Sequence, residues 1–155
     1  MKRTSIAALI AVGGFIAAVA AILTWRLYGS MTSIPVTVSV TLWVMTIVCI
    51  ALAWRVRDRK GDGGIGQDRS QLSPVTAAQF LVIGKASAWT GAVIGGAYLG
   101  MATYIIPRAG DLIAAADDLP GVLASTVGGV ALAAAGLYLE RHCETPPPAE
   151  GEAAG

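Results

Sequence analysis

Charged residues divide this chain into long apolar stretches. Thr4 to Trp25 lies between Arg3 and Arg26, and Met31 to Trp54 ends at Arg55. Ala86 to Pro107 lies between Lys85 and Arg108, and Leu119 to Leu139 between Asp118 and Glu140. About 20 apolar residues in a helix cross a hydrocarbon core of roughly 30 Å. Each stretch reaches that length, so the pattern predicts four transmembrane helices, at about 4–26, 33–54, 74–106 and 119–140, in one domain over 1–144. The expected fold is all-α: an integral membrane four-helix bundle of two helical hairpins.

Two stretches have a rival reading. Pro35 to Leu42 alternates apolar and polar residues with the period of a strand. An unpaired strand in hydrocarbon leaves its backbone unsatisfied, so the environment overrides that period in favour of helix. Lys2-Arg3, an apolar run and Ala18-Val19-Ala20 form the pattern of a cleaved signal peptide. The run continues through Ile22 and Leu23 to Trp25, longer than such peptides need, so it reads as a retained helix.

Punctuation marks the ends. Ser73-Pro74 is a helix-start signal that extends the third helix inward of its span. Val75, Phe80 and Leu81 of that extension are expected against lipid, with Thr76 and Gln79 towards water. Asp118, just before Leu119-Pro120, reads as the N-cap of the fourth helix. Residues 61–70 and 145–155, rich in Gly and Pro, are expected to be a flexible loop and a disordered tail.

Composition agrees with this partition. The 155 residues are 55% hydrophobic and 14% charged, with a mean hydropathy of +0.65. That excludes an ordinary soluble domain, and a net charge of +1 gives no footprint for nucleic acid. Of the 11 lysines and arginines, all but Arg26 and Arg108 fall on one side if the N-terminus is cytoplasmic. The positive-inside rule therefore predicts both termini in the cytoplasm. Trp25, Tyr28 and Tyr104 then mark the outer interface, and Trp54, Trp89 and Tyr138 the inner one. Trp43 and Tyr98 fall nearer mid-membrane and need a packing partner. Cys49 and Cys143 are too far apart along the membrane normal to suggest a disulfide.

The strongest local pattern is small residues at helical spacing. Gly91 with Gly95, and Gly96 with Gly100, form two such motifs on adjoining faces of the third helix. Ser125, Gly129 and Ala133, with Gly128 beside them, answer on the fourth. Small residues let helix backbones approach where no hydrophobic drive exists, so helices three and four should pack tightly. The second helix, with larger side chains, should face lipid. Arg55, Arg57, Arg59 and Lys60, and separately Lys85, are candidate contacts for anionic lipid. A weak internal repeat pairs Arg3 with Lys85, Gly13-Gly14 with Gly95-Gly96, and Arg26 with Arg108 at one common offset.

What is missing narrows the function. No ionisable residue falls at mid-membrane, where a proton- or ion-coupled transporter needs one. One histidine and no phosphate-cradling loop give no catalytic constellation, cofactor site or metal site. The expectation is a non-enzymatic protein that associates in the bilayer with itself or with a membrane partner. The alternative is a facilitator for a small neutral or weakly polar solute, lined by Thr37, Ser39, Thr41, Ser87, Thr90, Tyr98 and Ser125.

Gly84-Lys85-Ala86-Ser87-Ala88, Gly91-Ala92 and Gly96-Ala97-Tyr98-Leu99-Gly100 carry a family likeness, as do Ser73-Pro74, Ala77-Ala78 and the opening Lys2-Arg3-Thr4-Ser5. The chain resembles an actinobacterial family, domain of unknown function 3180. The resemblance implies a small multi-pass protein of the bacterial plasma membrane. It implies no catalytic residues.

Overall fold

The computed structural model describes residues 4–30, 37–61 and 74–143. These form four helices: α1 Ile6–Leu27, α2 Thr37–Gly61, α3 Pro74–Arg108 and α4 Ile113–Cys143, with one 3-10 turn at Tyr28–Ser30 after α1. All four are long and apolar enough to cross a membrane. Gly61 ends α2, and the rest of the expected loop, the tail, Ser73, Lys2 and Arg3 lie outside the described residues.

The boundaries shift for physical reasons. Thr37 to Leu42 is helical, as the hydrocarbon argument requires. Thr41 Oγ1 and Thr46 Oγ1 donate to Thr37 O and Leu42 O, so these hydroxyls are satisfied within α2 itself. α2 then runs on through its basic end to Gly61. α4 begins at Ile113, earlier than expected, and Pro120 lies inside it. Asp118 is therefore not an N-cap. Its carboxylate instead accepts a hydrogen bond from Tyr28 OH at 3.1 Å.

α3 and α4 form the centre of the fold as an antiparallel pair. Gly84 lies against Gly136 and Glu140, and Gly95 against Gly129. α1 packs on α3 and α2 packs on α4, with a slight contact between α2 and α3. The order across the layer is thus α1, α3, α4, α2. The consecutive helices α1 and α2 sit on opposite flanks and do not pack together.

Two clusters make the core. Leu42, Cys49, Ala53, Val56, Ala77, Leu132, Leu139 and Cys143 join α2, α3 and α4. Tyr98, Ala102, Ile105, Ala115 and Val122 join α3 to α4. Phe80 and Leu81 pack against the first cluster instead of facing lipid, because α2 and α4 both extend far enough to cover them. Val75 is exposed. Cys49 and Cys143 are both buried free thiols, and Cys49 donates to Ser87 Oγ at 3.3 Å.

Candidate functional site

The two glycine motifs of α3 serve two different helices. A Cβ on Gly91 would lie 2.5 Å from Ala133 N and 2.6 Å from Gly129 O. One on Gly95 would lie 3.1 Å from Gly129 Cα. That face continues through Gly84, whose Cβ would be 2.9 Å from Gly136 O, and through Gly136, whose Cβ would be 2.5 Å from Ala88 N. Here the backbones of α3 and α4 touch, and any side chain would part them.

Gly96 and Gly100 do not join this face. They meet α1, where a Cβ would strike Gly13 O and Ala17 O. Packing on α3 is therefore shared between α4 and α1. Gly128 also turns elsewhere, towards Leu42 and Trp43 of α2, each about 3.3 Å from its absent Cβ. Trp43 Nε1 donates to Ala124 O at 3.3 Å, which supplies the partner that this mid-span indole needs. Tyr98 finds Ser125 across the α3–α4 contact, and Ser125 is buried.

Sequence reasoning named Gly13 only in the internal repeat, not as a contact, and missed Ala17, Gly136 and Glu140. The first two carried a readable signal, since Gly13, Ala17 and Ala21 repeat the small-residue spacing of α3. Glu140 had been read only as the edge of a span. It is 4% exposed. Its Oε1 accepts a hydrogen bond from Thr4 N at 2.8 Å, so a carboxylate on α4 sits at the start of α1, where the helix dipole favours negative charge. Glu140 Oε2 and Thr4 Oγ1 are buried with no hydrogen-bond partner among the described residues.

This contact gives a graded expectation. Glu140→Gln keeps the acceptor and loses the charge, at a cost of about 0.3–1 kcal/mol. Glu140→Leu leaves Thr4 N–H part-buried and unpaired, at a cost of about 1–3 kcal/mol. Thermal melts in detergent should rank wild type, Gln and Leu in that order. Equal melts for the two variants would remove Glu140 as the anchor of α1.

The basic residues do not form one patch. Arg55 and Arg57 are exposed at the end of α2, and the side chains of Arg59 and Lys60 lie outside the described residues. Lys85 is two helical turns before Ala92, which faces Gly13. It therefore lies on the α1 side of α3, away from α2, and already has an interaction partner.

A groove of about 310 Å³ opens between α2 and α3, lined by Val38, Thr41, Met45, Ile83, Thr90 and Ile94 with Leu132 of α4. Ser87 also lines it, but that hydroxyl is engaged by Cys49. Of the hydroxyls proposed for a solute path, Ser39 and Ser125 are buried and Thr37 is exposed at the helix start. Thr41, Ser87 and Thr90 alone share this space, and its walls are otherwise apolar.

At the far end of α3 an aromatic group gathers. Tyr28 and Tyr104 rings are 4.9 Å apart, and Trp25 meets Tyr104 edge-on at 6.3 Å. The Arg108 guanidinium lies 4.7 Å from the Tyr104 ring centre and donates to Tyr104 OH at 3.1 Å.

Four apolar helices, backbone contacts through glycine and aromatic residues gathered at the helix ends define a helical membrane protein. The chain belongs to the family described as protein of unknown function (DUF3180), whose model matches residues 9–147. Comparison with curated proteins and with solved structures finds no match.

Proposed function

We propose that this is a non-enzymatic protein of the bacterial, actinobacterial plasma membrane, with both termini cytoplasmic, that acts by lateral association in the bilayer. The association surface is the α2–α3 groove, which receives a transmembrane helix of a partner protein. The glycine faces of α3 are occupied inside the chain by α4 and α1. The groove is the observation that carries the reading: it is open at the side and lined by Val38, Met45, Ile83 and Ile94, next to Thr41 and Thr90. Thr41 Oγ1, which donates to Thr37 O, offers a partner an acceptor, and a hydrogen bond from a hydroxyl such as Thr90 adds about 1 kcal/mol at a helix–helix contact in a bilayer.

The test places a single reactive thiol in the groove. With Cys49 and Cys143 replaced by alanine, Met45→Cys is labelled with a benzophenone maleimide and photolysed in native membranes, so that the second bond forms by insertion into a C–H bond of the protein that lies in the groove. Ile10→Cys, on an exposed position of α1, serves as the reference. A discrete adduct at Met45 and none at Ile10 is expected. An adduct of twice the chain mass identifies a second copy, and any other single mass identifies a different protein. No adduct, or equal adducts at both positions, overturns the reading.

A further inference from the structure

A second space lies between α1 and α3, at the end of the molecule that holds few basic residues. It measures about 300 Å³ and is lined by Ala21, Ile22, Trp25, Arg26 and Thr103. Ala21 and Ile22 give it an apolar side, and Trp25, Arg26 and Thr103 are exposed residues that complete the lining. Ile22 and Trp25 are 65% and 68% exposed, so the space opens towards lipid.

The charges here are unevenly committed. Arg108 is held by Tyr104 through its ring and its hydroxyl. Asp118 is bound by Tyr28. Arg26 makes no ion pair or hydrogen bond with a described residue, although it lines the pocket. A guanidinium presents a planar fork of donors that matches the oxygens of a phosphate. Thr103 Oγ1 already donates to Gly100 O at 2.6 Å, so it offers the pocket only lone pairs. The site therefore wants an anion for Arg26 and a hydrogen-bond donor for Thr103.

We infer that this pocket binds an anionic phospholipid with a hydroxyl-bearing headgroup of the phosphoglycerol type. The phosphodiester sits on Arg26, a glycerol hydroxyl donates to Thr103, and an acyl chain lies against Ala21 and Ile22. An ethanolamine headgroup could also donate to Thr103, but its ammonium would face the Arg26 charge. A choline headgroup has no donor. Trp25 lines the pocket and is a natural reporter.

The experiment uses the full chain with Trp43, Trp54 and Trp89 replaced by phenylalanine, so that Trp25 alone fluoresces. The protein is reconstituted in phosphatidylcholine vesicles containing brominated phosphatidylglycerol, phosphatidylethanolamine or phosphatidylcholine as quencher. Half-maximal quenching is expected at an about fivefold lower mole fraction of the glycerol lipid, the ratio for one basic residue near an anionic lipid. Arg26→Gln should abolish that preference, Arg26→Lys should keep part of it, and Thr103→Val should narrow the gap between the glycerol and ethanolamine lipids. Water-soluble glycerol phosphate should not relieve the quenching. Equal quenching by all three lipids overturns the inference, as does a preference that survives Arg26→Gln. Relief by glycerol phosphate would identify a soluble ligand and overturn the lipid assignment.

Discussion

Gly91→Leu should insert into the membrane and fail to hold α3 against α4. The new Cβ would start 2.5 Å from Ala133 N and 2.6 Å from Gly129 O. Both are backbone atoms, which cannot rotate aside as a side chain can. Overpacking a core costs about 1–3 kcal/mol where side chains can adjust, and a rigid contact stands at the upper end of that range or beyond. Gly14 is the internal reference, because nothing lies within 4 Å of its absent Cβ. Gly14→Ala should match or exceed wild type, since alanine favours a helix over glycine by about 1 kcal/mol. Size-exclusion profiles after heating in detergent should separate the two variants sharply. Similar melts for Gly91→Leu and Gly14→Ala would mean that the α3–α4 contact does not hold the fold.

Gly100→Leu should give a different kind of damage. Gly100 meets α1 at Ala17 O and at Ala20 Cβ, and takes no part in the α4 face. α1 packs on α3 alone among the helices, so its release leaves the α2, α3 and α4 contacts in place. The expected result is a protein that still melts cooperatively but in which α1 has come loose. A thiol at Ala92→Cys, half-covered beneath α1, reports this. With Cys49 and Cys143 replaced by alanine, its reaction with a membrane-permeant maleimide should speed up at least about tenfold, the equivalent of about 1.4 kcal/mol in opening free energy. Unchanged reactivity would show that Gly100 does not dock α1.

The spans were legible because the bilayer imposes one simple rule, an uncharged stretch of sufficient length. The strand-like alternation after Pro35 was correctly overridden for the same reason, and Thr37 to Leu42 is helical. Packing partners were harder to read. Gly91, Gly95, Gly96 and Gly100 stood out by spacing, but spacing gives a face and not its neighbour. The two motifs differ by a rotation of the helix, and that rotation sends one to α4 and the other to α1. Glu140 was hidden because a charge at a span edge usually meets water. Its burial depends on the chain start folding back over it through Thr4, a contact between opposite ends of the sequence. Asp118 was misread because a proline signals a helix start, whereas Pro120 here sits in the interior of α4. The α2–α3 groove had no signature at all, since it results from two helices that touch only slightly.

The order α1, α3, α4, α2 has a consequence for biogenesis. α1 is synthesised before α2 and α3, yet among the described helices it is α3 that covers its small-residue face. α1 therefore resides in the bilayer without that partner while α2 and the following loop are translated. It is equipped for this wait, being the most apolar of the four spans, whereas α3 is the least apolar. The late, weakly hydrophobic α3 enters a membrane where α1 already offers a docking surface, and α4 completes its other side. The helix made earlier thus serves as a built-in receiver for α3.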